Sequence, residues 1–412
     1  MDNSGWLSTT SICDWYGVRC SNGGIPEMPE QLRLKQNGLT GTLPAELGAI
    51  DSLILLQVFQ NSLTGEIPTS IYGLPNIGAV DVEDNQFSGD LFPPELFLAS
   101  NTLQVYSASN NNLSGTIPDD ISSLARLTRL WIAENNVGGT IPNSLTELAD
   151  LTSFIAYNSS LGGNIPTDIG NLQMLERLDL SENNLVGEIP VSFGNLPMLK
   201  KVYLGDNSLS GSIPEFTTQP VSLLEFLASD NNFVGPIPSG YADLPVLQNF
   251  TLANNTITGE IPAFNSPDLT FIDLKNNRLT GPIPASIFNS GNLRVLYLSN
   301  NLLSGPIPAS YSKPPELTDL WLNDNDLTGT IPNPLPGQLQ NIEEILLFFN
   351  RLNGDVPDGL CQLRLDFPVQ FFALQADCAP RLGSDVINNE CPLNVCCTDC
   401  ESGKETQDEP LF

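Results

Sequence analysis

The sequence predicts a solenoid of stacked, strand-bearing coils, and three observations point there. The motif Leu-x-x-Asn-x-Leu-x-Gly-x-Ile-Pro recurs with its Asn at 37, 61, 85, 111, 135, 183, 207, 231, 255, 277, 301, 325 and 350, and Ser159 fills the one vacant place, making fourteen repeats. Most steps are 24 residues, with 26 from Asn85 to Asn111, 22 from Asn255 to Asn277 and 25 from Asn325 to Asn350. A fixed period of this length marks a repeat array whose units bury their apolar faces against one another. The composition, 41% hydrophobic and 15% charged, is that of a folded chain. All eight cysteines lie outside the repeats, where an array would need caps.

Each part of the motif has a mechanical task. In Leu296-Tyr297-Leu298 and Leu178-Asp179-Leu180 the alternation has period two, so the Leu side chains point into the coil and the residue between them faces out. Such segments predict a parallel sheet. The chain then turns a corner inside the coil, where backbone groups lack strand partners; an Asn amide both donates and accepts, and stacked Asn residues repeat the solution. Ser159 is expected to be a weak rung. The following Gly permits positive φ or close packing, and Pro after Ile fixes φ and removes a donor, which keeps the convex side extended and bars a long helix.

With its Gly-x-Ile-Pro half, as in Gly115-Thr116-Ile117-Pro118 and Gly329-Thr330-Ile331-Pro332, the repeat resembles the leucine-rich repeat of plant-type extracellular proteins, over roughly residues 30 to 360. The run Cys13-Asp14-Trp15-Tyr16-Gly17-Val18-Arg19-Cys20 resembles the Cys-x-Trp-x-Gly-Val-x-Cys cap of such ectodomains. A Cys-rich end closing on Cys-Cys-x-x-Cys is also similar to repeat proteins of diatoms and related algae. The resemblance implies a leucine-rich-repeat solenoid, a curved right-handed superhelix with a parallel concave β-sheet and an extended or 3-10 convex side. It divides the chain into an incomplete N-terminal cap at 1–28, repeats at 29–360, a Cys-rich C-terminal cap at 361–400 and an acidic tail at 401–412. The even cysteine count reads as a bridge between Cys13 and Cys20 and up to three more among Cys361, Cys378, Cys391, Cys396, Cys397 and Cys400, in a connectivity left open. The competing reading, zinc at Cys391, Cys396, Cys397 and Cys400, is disfavoured by the absence of His and the even pairing.

With 47 acidic against 16 basic residues the formal charge is −31, which argues against nucleic acid as a partner. There is no His, which removes His-based nucleophile pairs, His-ligated metals and imidazole shuttles. No cofactor is expected. Asp81 and Glu83 stand two apart on one face, but nothing in the sequence supplies a general-acid environment or a closed pocket, so the chain reads as a non-enzyme. A disulfide framework implies an extracellular or cell-surface location. The first residues, Met1-Asp2-Asn3-Ser4-Gly5-Trp6, lack a basic and then apolar leader, and no apolar run is long enough to span a membrane, so the chain reads as a truncated gene model or an excised ectodomain.

On this fold the outward residues six, four and two before each Asn form columns on the concave sheet. Repeats five to eight gather Arg129, Trp131, Tyr157, Arg177, Lys201 and Tyr203 there, which makes them the candidate ligand-binding residues. Arg and large aromatics combine contact area with a polar end and anchor interfaces more often than other types. The competing reading pairs Arg177 and Lys201 with neighbours such as Asp179 and Glu225 to hold the sheet together. A fallback site is Tyr297 with Trp321, beside Asp319 and Lys275. The residue before the Asn is acidic at Asp84, Glu134, Glu182, Asp206, Asp230 and Asp324, a stripe read as solvated charge more readily than as a cation site. Asn112, Asn158, Asn249 and Asn254 head sequons, candidate glycosylation sites in a secreted protein.

The resemblance to receptor-like ectodomains implies an extracellular recognition module that binds a peptide, protein or glycan on its concave face, with a co-receptor as a further partner. The first alternative is an inhibitor of a secreted cell-wall hydrolase, as polygalacturonase-inhibiting proteins are. A second is ice binding through regular Asn and Thr ranks, which the Asp, Glu and Arg interruptions here disfavour.

Overall fold

The computed structural model describes residues 12–14, 16–21, 28–218, 220–354, 356–360, 363 and 373–375. They divide into two compact units between Asn232 and Phe233. The six C-terminal cysteines and the tail at 401–412 lie outside the described residues.

In the first unit the Leu-x-Leu segments form one parallel main sheet, with strands Pro29–Arg33, Leu55–Gln57, Ala79–Asp81, Val105–Ser107, Arg129–Trp131, Ser153–Ile155, Arg177–Asp179, Lys201–Tyr203 and Glu225–Leu227. Strand Val18–Cys20 pairs antiparallel with the first of these, Val18 opposite Leu32, and Cys13 and Cys20 form a disulfide with Cα atoms 5.6 Å apart. In the second unit the main-sheet strands are Asn249–Thr251, Phe271–Asp273, Val295–Tyr297, Asp319–Trp321 and Glu344–Leu346. A further strand past the last motif, Ala373–Gln375, pairs in parallel with Glu344–Leu346.

Alternation does what period two requires. Leu178, Leu180, Leu296 and Leu298 are fully buried, and each residue of a strand lies opposite its equivalent one repeat away. Corners are held by the Asn rungs. Asn135 Nδ2 donates to the carbonyls of Ala108, Ala133 and Ile132 at 2.9, 3.0 and 3.3 Å, and its Oδ1 accepts the Leu113 N–H at 3.0 Å. Ser159 fills its place with a single hydroxyl within reach of the Ile132 and Tyr157 carbonyls, at 3.2 and 3.1 Å.

Two features go beyond the expected layout. The Leu-x-Gly half is paired, not merely extended: Thr40–Gly41, Ser62–Gly65, Gln86–Asp90, Asn112–Thr116 and Asn136–Gly138 make a second five-stranded parallel sheet in the first unit. Short 3-10 turns such as Thr69–Gly73 and Val191–Asn195 follow directly after the Ile-Pro. Their stacking is close, since a Cβ on Gly170 would stand 2.1 Å from the Ser192 carbonyl oxygen. The second feature is the residue just before each Asn, which is left-handed in all fourteen repeats, with φ between 46° and 57°. Asn and Asp tolerate that conformation best among non-Gly residues. That tolerance fits Asp84, Asp206, Asp230 and Asp324 of the acidic stripe and Asn110, Asn158, Asn254, Asn276 and Asn300 at the same position, but not Glu134, Glu182, Gln36, Gln60 or Phe349, which hold the same conformation.

Candidate functional site

The outward face of the main sheet carries rows that the register aligns across repeats. One row runs Arg129, Ser153, Arg177, Lys201, Glu225, and the next runs Trp131, Ile155, Asp179, Tyr203, Leu227. The Arg129 guanidinium lies 4.5 Å from the Trp131 ring centroid, and the indole Nε1–H donates to Ser153 Oγ at 2.8 Å. Arg129 is exposed, and among the described residues no carboxylate pairs with it. A cation held over an indole face with one side open to solvent is a preformed anchor for an anionic or hydrogen-bonding group.

The other four residues are engaged differently. Arg177 pairs with Asp179 at 3.5 Å and lies 5.6 Å from the Tyr203 ring centroid. Lys201 Nζ pairs with Glu225 at 2.7 Å, and the Tyr203 hydroxyl donates to the same carboxylate. Tyr157 is half-buried; burial and the neighbouring Glu134 carboxylate push its phenol up to about 12. The structure thus brings Arg129 to Trp131, and Arg177, Lys201 and Tyr203 to one another through two acids, with Ile155 and Asp179 in the row between Trp131 and Tyr203. An outward position is also not always a wet one. Ser153, Ile155 and Asp179 are 8%, 5% and 5% exposed. Burial raises the Asp179 carboxyl above its usual range even though Ser181 and Arg177 bind it.

In the second unit the Tyr297 and Trp321 rings stack with centroids 3.9 Å apart and planes 24° from parallel, and Phe271 meets Tyr297 edge-on at 5.9 Å. Lys275 Nζ lies 5.3 and 5.5 Å from the two stacked ring centroids and pairs with Asp273 at 3.4 Å. Trp321 Nε1–H donates to Glu344 at 2.7 Å. Burial and then the Asp319, Asp273 and Glu344 charges raise the Tyr297 phenol. Sequence reasoning missed Phe271, Asp273 and Glu344 here, although each stands six or four before its Asn and was readable from the register.

Asp81 and Glu83 have an environment that the sequence did not reveal. Gln57 Nε2 donates to Asp81 at 3.3 Å, Ser107 Oγ donates to Glu83 at 2.8 Å, and burial raises both carboxyls. Among the described residues no group of three or more Cys, Asp or Glu side chains is arranged to hold a metal ion. Of the sequon residues, Asn112, Asn158 and Asn254 are exposed and Asn249 is half-buried on the main sheet. Among the described residues no helix is long and apolar enough to cross a membrane.

Leucine rich repeat family models match residues 267–327, 107–124 and 174–196. The plant peptide hormone receptor RGFR1, solved in complex with RGF2, is 34% identical with a TM-score of 0.78, over 85% of this chain and 55% of that one. A TDR receptor structure is 31% identical with a TM-score of 0.72, over 81% and 62%. The ectodomain of the Arabidopsis receptor kinase HAESA, in complex with an extended IDA peptide hormone, is 25% identical with a TM-score of 0.73, over 91% and 74%. The chain therefore spans between half and two thirds of the length of the first two. No curated protein sequence matches it. The chain carries leucine-rich repeats, and its repeats and fold are similar to those of these plant receptor ectodomains.

Proposed function

We propose that this chain is an extracellular recognition module of the receptor-ectodomain type, which binds a peptide on the outward face of its main sheet and performs no chemistry on it. The observation that carries this reading is the Arg129–Trp131 pair, an exposed guanidinium that lies 4.5 Å from an indole and is in no ion pair among the described residues. In a chain of charge −31 an exposed guanidinium held over an indole on that face favours a ligand bearing a carboxylate or another anionic group. The peptide-hormone complexes of RGFR1 and HAESA support the ligand class. A co-receptor that reads the occupied surface fits the same scheme.

The experiment is a parallel screen of the immobilised chain against synthetic peptides with free C-terminal carboxylates and against a glycan array. A peptide that binds the wild type and is lost in Trp131→Ala supports the reading. Binding confined to glycans, or recovery of a cell-wall hydrolase in a pull-down with no peptide binding, would replace it.

A further inference from the structure

The two units carry the same three-residue arrangement with one substitution of charge. In the first unit Lys201 and Glu225 stand opposite each other on adjacent strands, and Tyr203, two residues after Lys201, donates its hydroxyl to Glu225. In the second unit Asp319 and Glu344 stand opposite each other, and Trp321, two residues after Asp319, donates its indole N–H to Glu344 at 2.7 Å. All six occupy equivalent register positions, six or four before the Asn of their repeat. Where the first arrangement has an ammonium 2.7 Å from the glutamate, the second has another carboxylate.

Like charges directly opposite on neighbouring strands repel, so Asp319 and Glu344 destabilise the sheet unless a cation lies between them. Among the described residues neither is in an ion pair. Asp319 accepts from Thr318 Oγ1 at 2.6 Å, and Lys275, the nearby cation, is paired with Asp273. Lys275 is nearly equidistant from the two rings that stack on each other. On the other side of Asp319 the row continues with Val295, which is neutral. Burial and the Asp319 charge raise the Glu344 carboxyl, consistent with a site of uncompensated negative potential. The stacked Tyr297 and Trp321 form an apolar wall along it.

We propose that Asp319 and Glu344, walled by Trp321 and Tyr297, bind a cationic side chain, Lys or Arg, of a peptide partner, which occupies the place that Lys201 occupies in the first unit. The stem of that side chain lies along the rings and its head bridges the two carboxylates. The proposal rests on the reading of the main-sheet face as the ligand-facing surface, and it assigns that face a second contact of opposite sign to the one at Arg129.

The test uses the full chain and two probes, the capped peptide acetyl-Gly-Gly-Arg-Gly-Gly-amide and its citrulline counterpart, which keeps the shape and removes the charge. Wild type should prefer the arginine probe, and Asp319→Lys, which installs the cation of the first unit, should weaken it about ten-fold or more. Glu316→Lys, an exposed site off this face with the same change in net charge, should alter affinity less than about two-fold. Trp321→Ala should weaken binding with the carboxylates intact, and circular dichroism establishes that each variant is folded. Equal binding of the two probes, no arginine binding at millimolar concentration, or equal losses in Asp319→Lys and Glu316→Lys would overturn the proposal. So would a neutral oligosaccharide that binds through Trp321 and is indifferent to Asp319→Lys. Arg129→Ala should leave the arginine probe unaffected, so this inference and the anchor at Arg129 can fail separately.

Discussion

Ser159 and Asn183 share a hydrogen bond across neighbouring repeats, the Ser159 N–H donating to Asn183 Oδ1 at 3.1 Å. Asn183 also holds the carbonyls of Ala156, Ser181 and Leu180 at 2.7, 2.9 and 3.1 Å, whereas Ser159 has one hydrogen for two carbonyls. Replacing Ser159 by Asn adds a second donor hydrogen and a carbonyl acceptor to a corner that already has room for both in every other repeat. Ser159→Asn is therefore expected to stabilise the chain by about 0.5 to 2 kcal/mol, and Asn135→Ser to cost about 1 to 3 kcal/mol. Urea midpoints read both. A destabilising Ser159→Asn would mean that the corner has closed around the smaller residue.

The strand facing is tested by a pair one residue apart. Leu180 is fully buried, and Leu180→Ala should cost about 2 to 5 kcal/mol. Asp179 points the other way, yet it is 5% exposed and accepts from Ser181 Oγ at 2.8 Å, so Asp179→Ala should cost about 1 kcal/mol through the loosened Ser181 and Arg177, more than an ordinary surface change. Equal losses at the two positions in thermal melts would contradict the facing seen in the structure.

Periodicity made the main sheet, its register and its inward Leu residues legible, because an error of one residue would turn every Leu outward. What a column cannot disclose is which of its members are wet. Ser153 and Asp179 look identical in pattern to Arg129, and only the lean of Trp131 and Arg177 over them separates the two cases. The pairing of Lys201 with Glu225 was readable as an option, since the two sit one repeat apart in the same row. The stack of Tyr297 on Trp321 was readable as proximity, while the role of Glu344 under Trp321 depended on a side-chain direction. The left-handed backbone beneath the acidic stripe is a property that no spacing expresses at these positions.

Acid should stabilise this protein over part of the range. Burial raises the carboxyls of Asp81, Glu83, Asp179, Asp206 and Glu344 above their ordinary values. A raised folded-state pKa means that the native state holds the proton more tightly than the unfolded chain, whose carboxyls titrate near about 4. The stabilisation is then full below that value and lost as pH rises through the raised values. Melting at about pH 4.5 should exceed melting at pH 7 at constant ionic strength, with relief of charge repulsion acting in the same direction. Asp81→Asn should raise the neutral value and flatten the slope, since burial is the largest influence on its carboxyl and outweighs the hydrogen bonds from Gln57 and Glu83. A steady fall in stability on acidification would show that other carboxylates, bound in their charged form, dominate.

Binding at the first unit is expected to depend unequally on its basic residues. Arg129 lies over Trp131 and lowers the Asp81 carboxyl from a distance, while Arg177 is spent on Asp179 and Lys201 on Glu225. Removing an anchor that faces the ligand costs about 2 kcal/mol or more, so Arg129→Ala and Trp131→Ala should each weaken a selected peptide by that amount. Arg177→Ala frees an acid beside the site and should act mainly through repulsion, with a smaller loss that salt reduces. Lys313→Ala, exposed and away from the main sheet, serves as the control. Because a single guanidinium steers an anionic group toward an otherwise repulsive surface, two effects of salt compete. Screening the global charge of −31 speeds encounter, and screening Arg129 slows it. The difference between wild type and Arg129→Ala isolates the local effect: the ratio of their association rates should fall toward one as salt rises. A ratio that stays constant with salt, or affinities unchanged in both Arg129→Ala and Trp131→Ala with folding intact, would remove the peptide anchor from this part of the sheet.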